Sequence, residues 1–301
     1  MPNVLAADIG GTNIRAAIID AAGSILHEQR VEAHLSDPDL SAADIVSTIE
    51  TVLRPMLHHD TKAVGLGFPG FFRGDSGILA ASPNLPNIRE LALADTLHRA
   101  MGIPVAAQND ALCAAIGEHR FGIGRGVENL LHITLGTGVG GGLILNEHAW
   151  TGEHGMAMEF GHLRVADERL CGCGLNGCLE TYASATAVCN SYTKATGEAC
   201  RSDEIYQRAC SGDEQAKNVI EQAGHYLGAA IAEAIKLLDL HTVCISGGLT
   251  GAWPILYPAL INTLNARLIP PMRSSVNVCQ TSLGDNAGLL GAAVIARNMH
   301  R

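Results

Sequence analysis

Three thiols fall within eight residues, Cys171, Cys173 and Cys178, and the glycines between them let the backbone wrap a small centre. Tetrahedral zinc takes four such ligands. His162, nine residues ahead of Cys171, is the nearest candidate for the fourth, with His154 as its competitor. A Cys3His set leaves no open coordination position, so the ion it implies is a structural Zn2+ and a zinc-dependent hydrolase is disfavoured. Glu159 lies three residues before His162 and Glu180 two after Cys178, so a metal there fixes two carboxylates in space. Carboxylates held this way suit the vicinal hydroxyls of a sugar, and the second imidazole nitrogen of His162 can meet a hydroxyl as well.

Two glycine turns supply a different chemistry. Gly10-Gly11-Thr12-Asn13 and Gly136-Thr137-Gly138 each follow an apolar strand, and glycine lets backbone N–H groups approach an anion closely. One turn in each half of the chain suggests two lobes gripping a polyphosphate. Gly136 to Gly141 satisfies the G-x-G-x-x-G string, but Leu143-Ile144-Leu145 after it reads as strand where a dinucleotide fold needs a helix. No Gly-Lys-Ser/Thr follows any of these glycines, so a Walker-type loop is absent too. Asp8, at the exit of the first strand, is placed to hold Mg2+ directly or through water. Ser246-Gly247-Gly248 follows a later strand and could admit a flat adenosine group. Asp110, where a strand hands over to a helix, reads from spacing alone as a helix N-cap.

The elements that must position these residues alternate. Strands are predicted over 4–9, 14–19, 63–68, 103–107, 130–135 and 242–245. Helices are predicted over 41–57, ended by Pro55, over 88–101, 111–119 and 213–238, from Ala183 onward, and over 287–298. Strand, glycine turn and strand occur twice, which implies an internal duplication within an α/β chain. At 301 residues, 47% hydrophobic and 17% charged, the chain fits two lobes. A net charge of -10, without a basic cluster, disfavours nucleic acid and anionic membrane as partners. The start carries no secretion signal, and nine cysteines, an odd count, fit reduced thiols or metal ligands in the cytoplasm.

The motifs together resemble the ROK sugar kinases of the actin-like ATPase superfamily over nearly the whole chain. Asp8-Ile9-Gly10-Gly11-Thr12 and Leu135 to Gly142 resemble the two phosphate motifs. Glu159-Phe160-Gly161-His162 resembles the E-x-G-H signature, and Cys171 to Glu180 fits the C-x-C-G-x-x-G-C-x-E zinc loop. The resemblance implies an actin-like ATPase (ribonuclease H-like) α/β fold, two lobes around a central cleft. Residues 1–115, completed by a C-terminal helix 285–301, would form the smaller lobe, and 116–284 the larger. It implies Asp110 as the catalytic base, with Asn109 beside it on the sugar. Glu159, His162 and Glu180 would hold hydroxyls, with Asn84 and Gly70 as further contacts. The activity implied is transfer from ATP, with Mg2+, to the 6-hydroxyl of glucose, by a cytoplasmic homodimer. Other hexoses, N-acetylhexosamines, a polyphosphate donor or a non-catalytic sugar sensor are the alternatives.

Overall fold

The computed structural model describes residues 2–299 except Ser36, Pro38, Pro83 and Asn84, and only the backbone of Pro86. The chain divides into two compact units: residues 1–128, 142–158 and 281–301 form the first, and 129–141 and 159–280 the second. The expected boundary at 115/116 falls inside a helix, Asp110–Phe121.

The chain opens with β1 (Asn3–Ile9), β2 (Asn13–Ile19), β3 (Ile25–Glu32) and α1 (Ala42–Leu53). Then come β4 (Thr61–Phe68), β5 (Phe71–Phe72), β6 (Leu79–Ser82), β7 (Leu85–Leu91), α2 (Leu93–Met101), β8 (Val105–Asn109) and α3 (Asp110–Phe121). The order β3-β2-β1-β4-β8 makes a five-stranded sheet, antiparallel from β3 to β1 and parallel from β1 to β8. A smaller sheet, β5-β6-β7, lies beside it in sequence. One face of the main sheet packs its Leu5, Ala7, Ile9, Val64, Leu66 and Phe68 under α1 and α2. The other carries Val4, Ala6, Ala17 and Ala63 against the last helix of the chain. Burying both faces explains why β1 and β4 read as nearly unbroken apolar runs.

Two predicted elements change character. The helix foreseen over 41–57 starts at Ala42 behind a Ser41–Asp44 capping box and yields after Leu53 to a short 3-10 turn holding Pro55. The helix foreseen over 88–101 begins only at Leu93, because residues 85–91 form β7 and pair with β6, Ala81 opposite Arg89 and Leu79 opposite Leu91. Strand β3 escaped the reading altogether. It lies at the edge of the sheet and presents mostly polar side chains to solvent, so it lacks an apolar run.

The second half contains β9 (Leu130–Leu135), β10 (Val139–Leu145), β11 (His148–Ala149), α4 (Glu180–Ala183) and α5 (Ala185–Thr196). It closes with α6 (Ser202–Cys210), α7 (Glu214–Leu238), β12 (Thr242–Ser246), α8 (Trp253–Arg267), β13 (Asn277–Gln280) and α9 (Asn286–Asn298). In the second unit β12 runs parallel to both β9 and β13. Helix α7 meets α8 through Gly224 and Gly228, whose missing side chains admit the backbone of Leu256 and Leu260. In the first unit α9 crosses α3 in the same manner, with Gly117 against Ala287 and Gly291 against Cys113. That close crossing fixes the helix whose first residue is Asp110.

Candidate active site

In the first unit the chemistry gathers at the C-terminal ends of β1 and β8. Asn109, not Asp110, caps α3: its side chain accepts from Leu112 N–H at 3.0 Å and donates through Nδ2 to the Gly70 carbonyl at 3.1 Å. The capping duty that spacing alone gave to Asp110 therefore falls to its neighbour, and the Asp110 carboxylate accepts the adjacent Ala111 N–H at 2.9 Å. Asp110 keeps some exposure, yet protein crowds it closely enough that desolvation raises its carboxyl above the usual range. Asp8 is close enough to feel it. Burial first, then the charge of Asp110, pushes the Asp8 carboxyl to about 6, with Arg15 opposing.

Arg15 itself is anchored by Glu28, Nε to Oε1 at 2.6 Å, and donates to the Asp285 carbonyl at 2.7 Å and Asn286 Oδ1 at 2.5 Å, tying the start of α9 to β2. Gly70, expected as a sugar contact, holds φ at 155° and packs against Leu79 and Ala81, so a side chain there has neither the space nor the backbone. The turn after β1 closes by Gly10 N–H to the Asn13 carbonyl at 2.9 Å, and the Thr12 carbonyl accepts Ala33 N–H at 2.8 Å. Gly10, Thr12 and Asn13 are exposed and Gly11 partly so, which leaves the turn open to a ligand. Asn84 lies outside the described residues.

In the second unit the cysteine loop folds as the spacing requires. Nδ1 of His162 is 3.7 Å from Cys171 Sγ, and Cys173 Sγ is 3.6 Å from Cys178 Sγ. The four ligand atoms all lie within 4.8 Å of one another. A tetrahedral zinc centre has ligand-to-ligand edges of about 3.7 Å, so the thiols and imidazole fit such an ion without rearrangement. His154, the competitor, stands outside this cluster. Burial pushes the Cys178 thiol up to about 12, which a bound cation would reverse. The remaining nitrogen of His162, Nε2, faces Glu159 Oε2 at 3.9 Å.

Glu180 opens α4 and does something the sequence did not announce. Its Oε2 accepts the N–H of Val139 at 3.1 Å, and the same oxygen occupies the space a Cβ on Gly138 would need. The glycine of the second turn thus accommodates an anion, and that anion is a carboxylate of the chain itself. Gly161, inside the Glu159-to-His162 motif, is packed on the Val139 carbonyl just as tightly. Gly136 is held by its own N–H to the Gly138 carbonyl at 3.0 Å and by Ala185 N–H donating to its carbonyl at 2.9 Å. Of the pair proposed for adenosine, Gly247 adopts φ of 92° against the backbone of Leu135, so packing demands it, whereas Gly248 opens a 3-10 turn with free space at its Cβ. No described helix is long and apolar enough to cross a membrane.

Residues 4–299 match the model of the ROK family. A glucokinase of Halalkalibacterium halodurans is 33% identical over 96% of this chain and 93% of its own length. An N-acetylmannosamine kinase of Escherichia coli O157:H7 is 34% identical over 97% of this chain and 98% of its own. The crystal structure of a ROK family glucokinase from Streptomyces griseus in complex with glucose and AMPPNP matches with a TM-score of 0.86 at 33% identity, over 98% of this chain and 99% of that one. The paired α/β units accordingly have the actin-like ATPase fold, and the chain belongs to the ROK family as an ATP-dependent sugar kinase.

Proposed function

We propose that the protein is a glucokinase, moving the γ-phosphate of ATP to the 6-hydroxyl of glucose with Asp110 as general base. The observation that carries this reading is Asp110 itself: its carboxylate is relieved of capping by Asn109 and made more basic by desolvation. A carboxylate in that state can take the hydroxyl proton as the phosphoryl group transfers. Glu159 and Glu180 accept hydrogen bonds from ring hydroxyls, and His162 Nε2 offers a further contact. The turns Gly10-Gly11-Thr12 and Gly136-Thr137-Gly138 present backbone N–H groups to the β- and γ-phosphates. Asn13 and Gly248 are further contacts to the nucleotide.

Asp8 is the residue we assign to Mg2+, which when bound screens the phosphate charge. His162, Cys171, Cys173 and Cys178 would hold a structural Zn2+, whose contribution is to fold the loop that carries Glu180. Likeness to glucokinases in both sequence and fold supports glucose as the acceptor, and we further propose that the enzyme works as a cytoplasmic homodimer. The N-acetylmannosamine kinase relative favours a second reading, an N-acetylhexosamine as acceptor. One or two pocket side chains suffice to move the preference between such sugars.

Measurement of sugar-phosphate formation over glucose, fructose, mannose, allose, N-acetylglucosamine and N-acetylmannosamine, with ATP or polyphosphate as donor and ADP release followed in the ATP series, decides between the readings. Glucose with ATP is expected to give the highest kcat/KM. A higher value for an N-acetylhexosamine would replace the first reading by the second, and turnover of none would leave a sugar-sensing protein.

A further inference from the structure

The second phosphate turn and the sugar-binding carboxylate are parts of one hydrogen-bonded unit. Glu180 Oε2 takes the Val139 N–H at 3.1 Å, directly behind Gly138, and fills the space at that glycine. The carbonyl of the same Val139 packs directly against Gly161, the glycine between Glu159 and His162. Both sugar-bearing segments therefore close on the residue at which the turn becomes strand β10. Glu180 is also supported from behind: the Arg169 guanidinium stacks 4.3 Å over the Tyr182 ring and donates to the Thr181 carbonyl at 2.6 Å, fixing the first turn of α4.

We propose that Glu180 couples the two substrates, so that a hexose bound to its carboxylate orders the Gly136-Thr137-Gly138 turn and raises the affinity for nucleotide. This inference rests on the kinase reading above. A carboxylate has about four lone-pair sites, so accepting the Val139 N–H leaves room for sugar hydroxyls and the two partners need not compete. Without sugar, the side chain is a partly exposed glutamate held by the neutral Val139 N–H at 3.1 Å on Oε2 and by Cys171 Sγ at 3.7 Å from Oε1. With hydroxyls bound, its rotamer is fixed, and the turn that leans on it loses freedom before the phosphates arrive. Ordering done by the first ligand need not be done by the second, which is positive cooperativity, and linkage makes it reciprocal.

Calorimetric titration of the zinc-loaded protein with Mg2+ and AMPPNP tests this, with and without saturating amounts of the hexose that supports turnover. Wild type is expected to bind the nucleotide about ten-fold tighter when the hexose is present. Two variants sever the link from opposite sides. Glu180→Ala removes the acceptor. Val139→Pro removes the donated N–H, at the first position of a strand, where proline is tolerated, and leaves Glu180 free to bind sugar, although it also trades the buried valine side chain and restricts Gly138. Val139→Pro is expected to keep hexose affinity within about three-fold while the ten-fold enhancement falls to less than two-fold. Glu180→Gln, which retains an acceptor for the N–H, is expected to keep several-fold enhancement where Glu180→Ala keeps none, so the conclusion survives if the proline variant does not fold. Amide hydrogen exchange over residues 136–139 should slow on adding hexose to wild type and stay unchanged in Glu180→Ala. Turnover of a hexose with no enhancement in wild type, or with the enhancement intact in both severed variants, overturns the coupling and leaves the kinase reading standing. Absence of turnover with every sugar overturns the kinase reading and the coupling together.

Discussion

In the first unit the glycine turn closes on itself, Gly10 to Asn13, between two strands that pair in register from Val4 opposite Ile19 to Ile9 opposite Ile14. In the second unit the corresponding turn also closes on itself, Gly136 to Gly138, but in addition it leans on Glu180, 41 residues beyond Val139, and a carboxylate fills the space at Gly138. The carboxylates differ in the same way. Asp8 and Asp110 stand at the ends of strands in a regular sheet and owe their raised pKa first to burial. Glu159 and Glu180 stand on segments with little regular secondary structure, where the cysteine cluster is the nearest organising centre. A reactive group can thus be positioned by a backbone ladder that folds with the core, or by a loop whose thiols and imidazole converge as a metal's ligands would.

The sharpest way to break this comparison is at Asp110. Asp110→Asn is expected to lower kcat by about 1,000-fold while hexose KM and the melting temperature stay close to wild type, because Asn109 and the glycine crossing of α3 with α9 hold the shape without it. A variant that retained near-normal turnover would remove Asp110 from its assigned role. In wild type, kcat/KM should fall as the pH drops through the raised pKa of this carboxyl, so the acid limb should lie above the ordinary carboxylate range. A limb at an unshifted carboxylate pKa would argue that desolvation does not set its basicity.

The loop should respond differently. Chelation of zinc, or Cys178→Ser, is expected to lower kcat/KM by about 10- to 100-fold and to destabilise the second unit, with metal content measured by mass spectrometry alongside activity. Full activity in a protein free of metal would make the cluster incidental to the sugar site.

The two turns can be set against each other with one methyl group each. Gly138→Ala displaces the Glu180 carboxylate and is expected to raise hexose KM by about ten-fold, the worth of one hydrogen bond to a charged group. Gly10→Ala meets only the Asn13 carbonyl at 3.4 Å and is expected to leave hexose KM unchanged. Equal effects would mean the turns are supported alike.

The smallest effect expected is on stability. Between the unfolded-chain value of 3.8 and the folded value of about 6, the folded protein binds more protons at Asp8 than the unfolded chain does. Its contribution to stability is therefore lost progressively as pH rises through that window and is level above it. Asp8→Asn should raise the melting temperature of the metal-free protein by a few degrees at pH 7, corresponding to on the order of 2–3 kcal/mol, with the advantage gone near pH 4. A variant less stable than wild type at pH 7 would show that Asp8 holds structure rather than strain.

Much of this molecule can be read from its residues because the informative parts are local. The strand, turn and strand around Gly10 are neighbours in sequence, and Cys171, Cys173 and Cys178 need only a short loop to meet, so composition and spacing sufficed for both. Apolar runs marked β1 and β4, since both of their faces are buried. The elements misread were those whose state is set by the strand they pair with rather than by an apolar pattern of their own. β7 is strand because β6 lies alongside it, and β3 is strand because β2 does, although its own residues are largely polar. The tight contact behind Gly247 and the hold of Glu180 on Val139 join residues that spacing does not connect, whereas the capping of α3 by Asn109 is local and hidden only because Asp110 beside it is an equally good capping residue. Residue type and local pattern specify what a side chain can donate, accept or ligate; which partner it meets is settled when the chain packs, because hydrogen bonds and steric exclusion act over ångströms and sequence separation says nothing of that distance.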